Sequence, residues 1–491
     1  MARPWRVAFG GRIDPSRATP IYLQIAHALI HEIERGRLGS GAFLPSSREL
    51  AALLGVNRKT VVLAYEDLIA QGWLTSQGTR GTVVSGSLPD TPPRAAAATA
   101  LPAGSLPVVP DYAFLPPPAR SLSTPTGPWL KLDEGSPDGR LFPADILARA
   151  YRSATRRAMR ENRLAYRDPR GSPALRASIA AMLKVERGLA VTAEEICITR
   201  GSQNGIFLAA RALVNPGDTV LMEELTYEPA VAAFADRGAR VVPVRLDEHG
   251  MDVDDVERQC RRHRVKAIFL TPHHQFPTTV ALRPERRLRL LELARQFGFA
   301  IIEDDYDHEF HFDSQPLLPM ASYAPNRVIH VGSLSKLLLP ALRIGYIAAP
   351  AAFIAAIAHG VALTDGMGNT LTEDAAAELI DEGELRRHAR KAMQTYATRR
   401  LAFARALEGE LGDVVRYRVP DGGLAFWLEF PRITDLDGIE ARAPALGLRF
   451  ASSRSFATSP SAPRGLRLGF ASLTEEEGAG ALRLLARAAG R

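Results

Sequence analysis

The stretch "HVGSLSKLLLPALRIGY" (residues 330–346) frames the reading of the whole chain. It begins as an apolar strand and breaks at Gly332. It then sets one lysine, Lys336, between small hydroxyl residues and the apolar run Leu337, Leu338, Leu339 and Leu342. A lysine kept from bulk water has a lowered pKa and becomes a nucleophile toward an aldehyde. Ser333 and Ser335 are placed to donate to phosphate oxygens. Arg343, seven residues beyond Lys336, can complete that clamp with bidentate geometry.

Working outward, "AIIEDDYDHEF" (300–310) ends a buried strand in acids. Strand alternation puts Asp304 and Tyr306 on one face and Asp305 on the other. A carboxylate so placed needs a partner, such as the protonated nitrogen of a heteroaromatic ring, or else caps the strand in solvent. Asp304, Asp305, Asp307, His308, Glu309 and His311 crowd this segment, and His273 and His274 form a second group. Their spacing fits no common metal template, so no metal is expected. "ITRGSQNGI" (198–206) sets Gly201, Ser202 and Gln203 between a strand and a helix, as an anion site of backbone amides or as a plain tight turn. Taken together, these residues describe a pyridoxal 5'-phosphate site. Lys336 forms the Schiff base, Asp304 holds the pyridinium proton and Tyr306 supports the ring hydroxyl. Gly201, Ser202, Ser333 and Arg343 hold the phosphate, and Tyr227 in "EELTYEPA" (223–230) stacks on the ring or serves as a core aromatic.

The surrounding segments alternate apolar strands with helices, such as 284–297 and 372–408. Several strands are continuously apolar, as buried parallel strands are. This pattern predicts a large α/β domain over residues 129–491, with a smaller α+β lobe near its C-terminal end. Residues 88–128 hold eleven prolines in 41 residues and are expected to form an extended interdomain linker, in which Tyr112, Phe114 and Leu115 are candidate anchors.

Residues 1–87 form a third unit with ten Lys/Arg against six Asp/Glu, so +4 of the chain's +7 lies there and favours an anionic partner. Helices are expected over 20–36, 45–55 and 56–72, the second capped by Ser46 or Ser47 with Glu49 in a capping box and the third by Asn57. A hairpin with Arg80 at its tip follows. This is a winged helix-turn-helix pattern. Arg58, Lys59 and Thr60 head the recognition helix, Arg48 faces the phosphate backbone and Arg80 can enter a minor groove. The two cysteines, Cys197 and Cys260, are far apart, and "MARPWRVAFGGRIDP" has no apolar leader core, so a cytoplasmic location is expected. The apolar run 344–358 reads as a strand followed by a helix, too short to span a membrane.

The core "LPSSRELA…LGVNRKTV…L…GW" within residues 20–84 resembles the winged-helix domain of the GntR regulators. The resemblance implies operator contacts at Arg48, Asn57, Arg58, Lys59, Thr60, Gln77, Gly78 and Arg80. Residues 129–488 resemble fold-type I aminotransferases through the ordered set G-S-Q, T-Y, P-H-H-Q-F-P, E-D-D-Y and S-L-S-K-x₆-R. The combination is similar to the MocR/GabR group of transcriptional regulators. That resemblance implies a DNA-bound regulator that senses an amino compound, or the cofactor itself, through the internal aldimine on Lys336, and a head-to-tail, domain-swapped homodimer. It further implies that Tyr166 reaches the phosphate of a neighbouring subunit, that Gln203 and Ser335 line the cofactor, and that Arg467 in "GLRLGF" binds an effector carboxylate. Two departures stand out. Phe276 and Thr279 occupy the places of the aminotransferases' asparagine and glycine in "HHQFPTTV", which weakens the case for efficient turnover and leaves His274 or Gln275 as substitutes. Pro229 replaces the arginine of the group's GABA responder. The rival reading is an active aminotransferase that carries a DNA-binding module.

Overall fold

The computed structural model describes residues 13–16, 19–88, 112–113, 129–313, 316–431 and 435–491. It divides into two compact units, residues 1–123 and 124–491. Most of the expected linker, including Phe114 and Leu115, lies outside the described residues, while Tyr112 is 70% exposed.

In the first unit, helices Ile21–Glu34, Ser47–Leu54 and Arg58–Ala70 precede the antiparallel strands Leu74–Ser76 and Thr82–Val84. Their boundaries follow from capping chemistry. Ser46 accepts from the Glu49 amide while the Glu49 carboxylate accepts from the Ser46 amide, a reciprocal capping box. Gly55 ends that helix in the left-handed conformation, φ 65°. Asn57 opens the next by accepting from the Lys59 amide at 2.9 Å. Ile25, Leu29, Leu50, Val61, Leu68 and Val84 close the small core.

The second unit is built on a seven-stranded mixed sheet in the order Ile196–Thr199, Gly345–Ala348, Val328–Ser333, Ala300–Asp305, Val265–Leu270, Thr219–Glu223, Arg240–Val244. Gly345–Ala348 runs antiparallel to both its neighbours, and the other pairings are parallel. Helices cover the sheet and bury two apolar layers, one around Leu221, Ile268, Ile301 and Leu290, the other around Val220, Phe269, Ile302 and Ile354. With both faces covered, these strands read as apolar runs, not as alternation. The run 344–358 is indeed a strand followed by the helix Ala351–Thr364. The expected helix over 372–408 is two helices, Thr370–Asp381 and Glu384–Leu411, separated at Gly383, whose φ of 70° cannot continue a helix.

The smaller lobe carries the antiparallel strands Arg416–Tyr417, Ala425–Glu429 and Gly465–Gly469 against helices Glu384–Leu411 and Glu475–Ala488. Leu130–Leu132, at the start of this unit's described chain, pairs in parallel with Leu448–Phe450 of the same lobe. The lobe therefore draws on both ends of the α/β domain, which no local pattern announced. No helix among the described residues is long and apolar enough to cross a membrane.

Replacing Asn57 by alanine should cost about 1 kcal/mol by removing the cap of the third helix. Thermal melting checks this: an unchanged midpoint for the first unit means that the cap bond carries no stability.

Candidate cofactor site and DNA-binding face

Parallel strands point their C-terminal ends at one edge of the sheet, where α/β proteins bind ligands. Thr199, Glu223, Leu270, Asp305 and Ser333 all end strands there. The central strand delivers three consecutive buried carboxylates, Glu303, Asp304 and Asp305. Glu303 accepts from the amides of Met320 and Ala321, at 2.8 and 3.2 Å. Asp305, on the same face, accepts from the Arg187 guanidinium at 2.5 Å. Asp304 faces the other way, and its Oδ1 has no hydrogen-bond partner among the described residues. Burial pushes its carboxyl up to about 8, Asp305 and Asp307 push the same way, and Lys336 opposes them.

Lys336 is half-buried, and its Nζ donates to the carbonyl of Gly135 at 2.6 Å. Burial lowers its pKa, with Asp133 opposing and the Arg467 cation adding to the fall. Gly135 belongs to the segment that folds with the smaller lobe, so the lysine is held from across the domain. Sequence reasoning missed this partner, because a backbone carbonyl leaves no residue-type signal.

Gly201 opens the helix Gly201–Leu213 with φ 78°. A Cβ there would lie 2.8 Å from an Arg343 nitrogen, and a Cβ on Gly345 would lie 2.4 Å from the Gly201 carbonyl carbon. Only glycines let the helix start, the strand Gly345–Ala348 and Arg343 come this close. Arg343 donates to the Arg200 carbonyl at 2.9 Å. The Ser333 hydroxyl accepts from the Ser335 amide at 3.1 Å, and the Ser335 Oγ is buried without a partner among the described residues. Gln203 donates to Pro229 O at 3.0 Å and Ser202 sits beside it in the first turn. Tyr227 packs edge-on against Phe276 with centroids 5.4 Å apart. Tyr166 lies on a surface loop and is 92% exposed.

Tyr306 donates its hydroxyl to His274 O at 2.8 Å and accepts from Arg467 at 3.3 Å. Arg467 is 1% exposed; it also donates to Glu134 O and Pro277 O, and its guanidinium stands 4.6 Å over the Phe276 ring. No carboxylate pairs with it among the described residues. A buried cation held only by neutral acceptors retains a strong affinity for an anion. Neither candidate for the missing asparagine is free. His274 Nδ1 pairs with Asp307 at 2.7 Å. Gln275 bonds Glu223, Leu225 O, Phe276 O and Thr278. Thr279, in the usual glycine position, adopts φ 64°, a costly conformation for a β-branched residue.

In the first unit, Arg48, Asn57, Arg58, Lys59, Gln77, Gly78 and Arg80 are all exposed, with Thr60 half-buried beside them. Arg58 donates to the Ser47 hydroxyl at 3.3 Å, linking the recognition helix to the one before it.

A family model for aminotransferase class I and II matches residues 128–485, and one for bacterial regulatory proteins of the gntR family matches residues 21–84. The probable rhizopine catabolism regulatory protein MocR of Rhizobium meliloti is 31% identical over 96% of this chain and 94% of its own. The regulator TauR of Rhodobacter capsulatus is 34% identical over 86% of both chains. The crystal structure of LysN, an alpha-aminoadipate aminotransferase of Thermus thermophilus bound to N-(5'-phosphopyridoxyl)-L-leucine, superposes with a TM-score of 0.68. It shares 29% identity over 74% of this chain and 92% of that one. The chain belongs to the MocR-type transcriptional regulators. Like other members, it joins a GntR winged helix to a fold-type I aminotransferase-like domain, whose cofactor is pyridoxal phosphate.

The residues fit that cofactor. Asp304 offers an unsatisfied carboxylate, Ser335 an unsatisfied hydroxyl, and Gly201 and Gly345 open the backbone cradle. In this MocR-type chain the loop beside the site hangs on Glu223, which accepts from Gln275 at 3.2 Å and so supports Pro277 under Arg467. Burial raises Glu223 from 4.5 to about 8. The folded acid therefore keeps a proton that the unfolded acid has released, and stability falls as pH rises from about 4.5 to 8. Glu223→Gln should flatten this fall and gain on the order of 1 kcal/mol near pH 8. Melting curves of both proteins across that range check it; parallel pH profiles would contradict a protonated Glu223.

Proposed function

We propose that the chain is a cytoplasmic, homodimeric regulator that binds operator DNA through residues 1–87, uses 88–128 as a linker, and senses a small amino compound through 129–491. The observation that carries this reading is the presence together of a half-buried, pKa-lowered Lys336 and Arg467, a buried cation that has no acid partner among the described residues. An amine bearing an acid group would satisfy both.

Lys336 would hold the cofactor's aldehyde carbon, Asp304 its ring nitrogen and Tyr306 its ring hydroxyl. Gly201, Ser202, Gln203, Ser333, Ser335 and Arg343 would hold its phosphate, and Tyr227 would cover the ring. Bound there, the cofactor supplies an electrophilic carbon that captures primary amines. The lowered pKa of Lys336 leaves it free to act as a nucleophile, and the raised pKa of Asp304 reflects a carboxylate waiting for a cationic partner. The outward reach of Tyr166 supports a role at a partner's phosphate in a head-to-tail dimer.

Arg467 spends three of its five N–H groups on Glu134 O, Pro277 O and Tyr306 Oη, which leaves two for an effector carboxylate beside Pro277 O and Tyr306 Oη. Those acceptors sit on the loops that surround the cofactor, so occupancy of Arg467 is coupled to loop position. The loop's missing asparagine and its committed His274 and Gln275 favour sensing over turnover.

Arg467→Met should weaken effector binding by about 2–4 kcal/mol, read as the shift of the cofactor's visible band on titration with candidate amino acids. The variant should still carry the cofactor's visible band; equal affinity in variant and wild type would remove Arg467 from the effector site. Turnover of amino acids with 2-oxoglutarate at about 1–1000 per second would instead mark an enzyme. Arg58→Ala should weaken operator binding by about 1–3 kcal/mol while the cofactor's absorbance stays as it was. Unchanged operator affinity would place the recognition helix elsewhere.

A further inference from the structure

Behind the cofactor site, three histidines converge from two loops. His273 follows the strand Val265–Leu270, and His308 and His311 follow the strand Ala300–Asp305. One ring nitrogen of each lies within 4.8 Å of the other two. His273 and His308 stand with ring centroids 4.5 Å apart, and His311 lies 5.8 and 5.6 Å from them. His273 Nε2 and His311 Nε2 are buried without a hydrogen-bond partner among the described residues, and buried His308 Nδ1 has only the Asp305 carboxylate at 3.4 Å. Unpartnered buried ring nitrogens are an uncompensated cost, and three imidazoles gathered in one place make a candidate ligand set.

We propose that His273, His308 and His311 bind a divalent transition-metal ion of the zinc class, at a site separate from the cofactor.

Three imidazoles suit zinc, cobalt, nickel or copper and not magnesium or calcium, which take oxygen ligands. A tetrahedral zinc site with bonds of about 2.0–2.1 Å needs ligand nitrogens roughly 3.4 Å apart. Side-chain rotation over roughly 1.5 Å or less closes the present cluster to that spacing. The imidazoles must be neutral to bind. His273 and His308 are buried and His311 is half-buried, which favours the neutral rings. Asp305, itself paired with Arg187, borders the cluster: its Oδ2 is 3.4 Å from His308 Nδ1, and its Oδ1 has no hydrogen-bond partner among the described residues. His274 is not part of the set, because Asp307 holds its Nδ1.

The site would tie together two loops that matter to sensing. One loop carries His274 O, the acceptor of Tyr306, and Pro277 O, an acceptor of Arg467. The other runs on from Asp304 and meets the smaller lobe, where Phe312 donates to Asp421 O, Gly423 donates to Phe310 O, and His311 bridges Gly422. An ion there fixes the cofactor loops against the lobe that carries Arg467, and makes the sensor's stiffness depend on metal.

The test uses the full-length, tag-free, cofactor-loaded protein, stripped with a chelator and titrated with Co²⁺. Wild type should bind one equivalent with visible ligand-field bands that excess Mg²⁺ does not disturb. His308→Ala and His311→Ala should each weaken binding about 100-fold or more. His27→Ala, an exposed histidine of the first unit, should leave it unchanged. X-ray absorption of the zinc-loaded wild type should show three imidazole nitrogens at about 2.0–2.1 Å, which needs no variant to fold. Absence of stoichiometric binding, equal binding by the two cluster variants, or a first shell of oxygens alone would each overturn the proposal.

Discussion

The end of the central strand imposes the constraint around which the rest of the domain is arranged: three successive carboxylates driven into the interior. A buried, uncompensated carboxylate costs several kcal/mol, so each must be neutralised or else protonated. Glu303 is held by two backbone amides and Asp305 by Arg187. Asp304 is left with Lys336 as its opposing charge and a carboxyl pushed toward the neutral form. The strand's alternation decides the division, because it sends Glu303 and Asp305 to the face where protein partners wait and Asp304 to the face where a ligand fits.

Arg467 is the counterpart of Asp304. One is a buried acid whose Oδ1 has no hydrogen-bond partner, and the other a buried cation with no acid partner, among the described residues. Lys336 feels both, since Arg467 helps to depress its pKa and its own charge opposes the rise at Asp304. The three groups come from a central strand, a strand-to-turn junction and the smaller lobe, so their mutual electrostatics report on how lobe and sheet are packed. In the sensor proposed above, that coupling would turn a bound small molecule into a conformational signal without catalytic turnover.

Much of this was legible in the chain because the signals are local. Ser46 with Glu49 and Asn57 before Arg58 are interactions over a few residues, and each caps a helix as the pattern implied. Lys336 between Ser333 and Arg343 is likewise a single loop. The helix expected over 372–408 divides at Gly383, where a left-handed glycine outweighs the apolar periodicity on either side. Where the partner is distant, sequence was silent. Arg187 pairs with Asp305, Glu223 with Gln275, and the Gly135 carbonyl with Lys336, none of them marked by spacing. His273 likewise comes near His308 and His311 only after two strands have paired.

By itself the sequence determined the two-part architecture, the capped recognition helix and the residue types that describe a phosphate-bearing aldehyde cofactor. These rest on hydrogen bonds and hydrophobic periodicity within one element, which residue order encodes directly. Only the tertiary structure decided which carboxylate stays unpaired, that the start of the α/β domain folds into the smaller lobe, and that His274 and Gln275 are committed to the loop. Those outcomes depend on which side chains meet across the sheet, and desolvation sets their energies only once the strands are packed together.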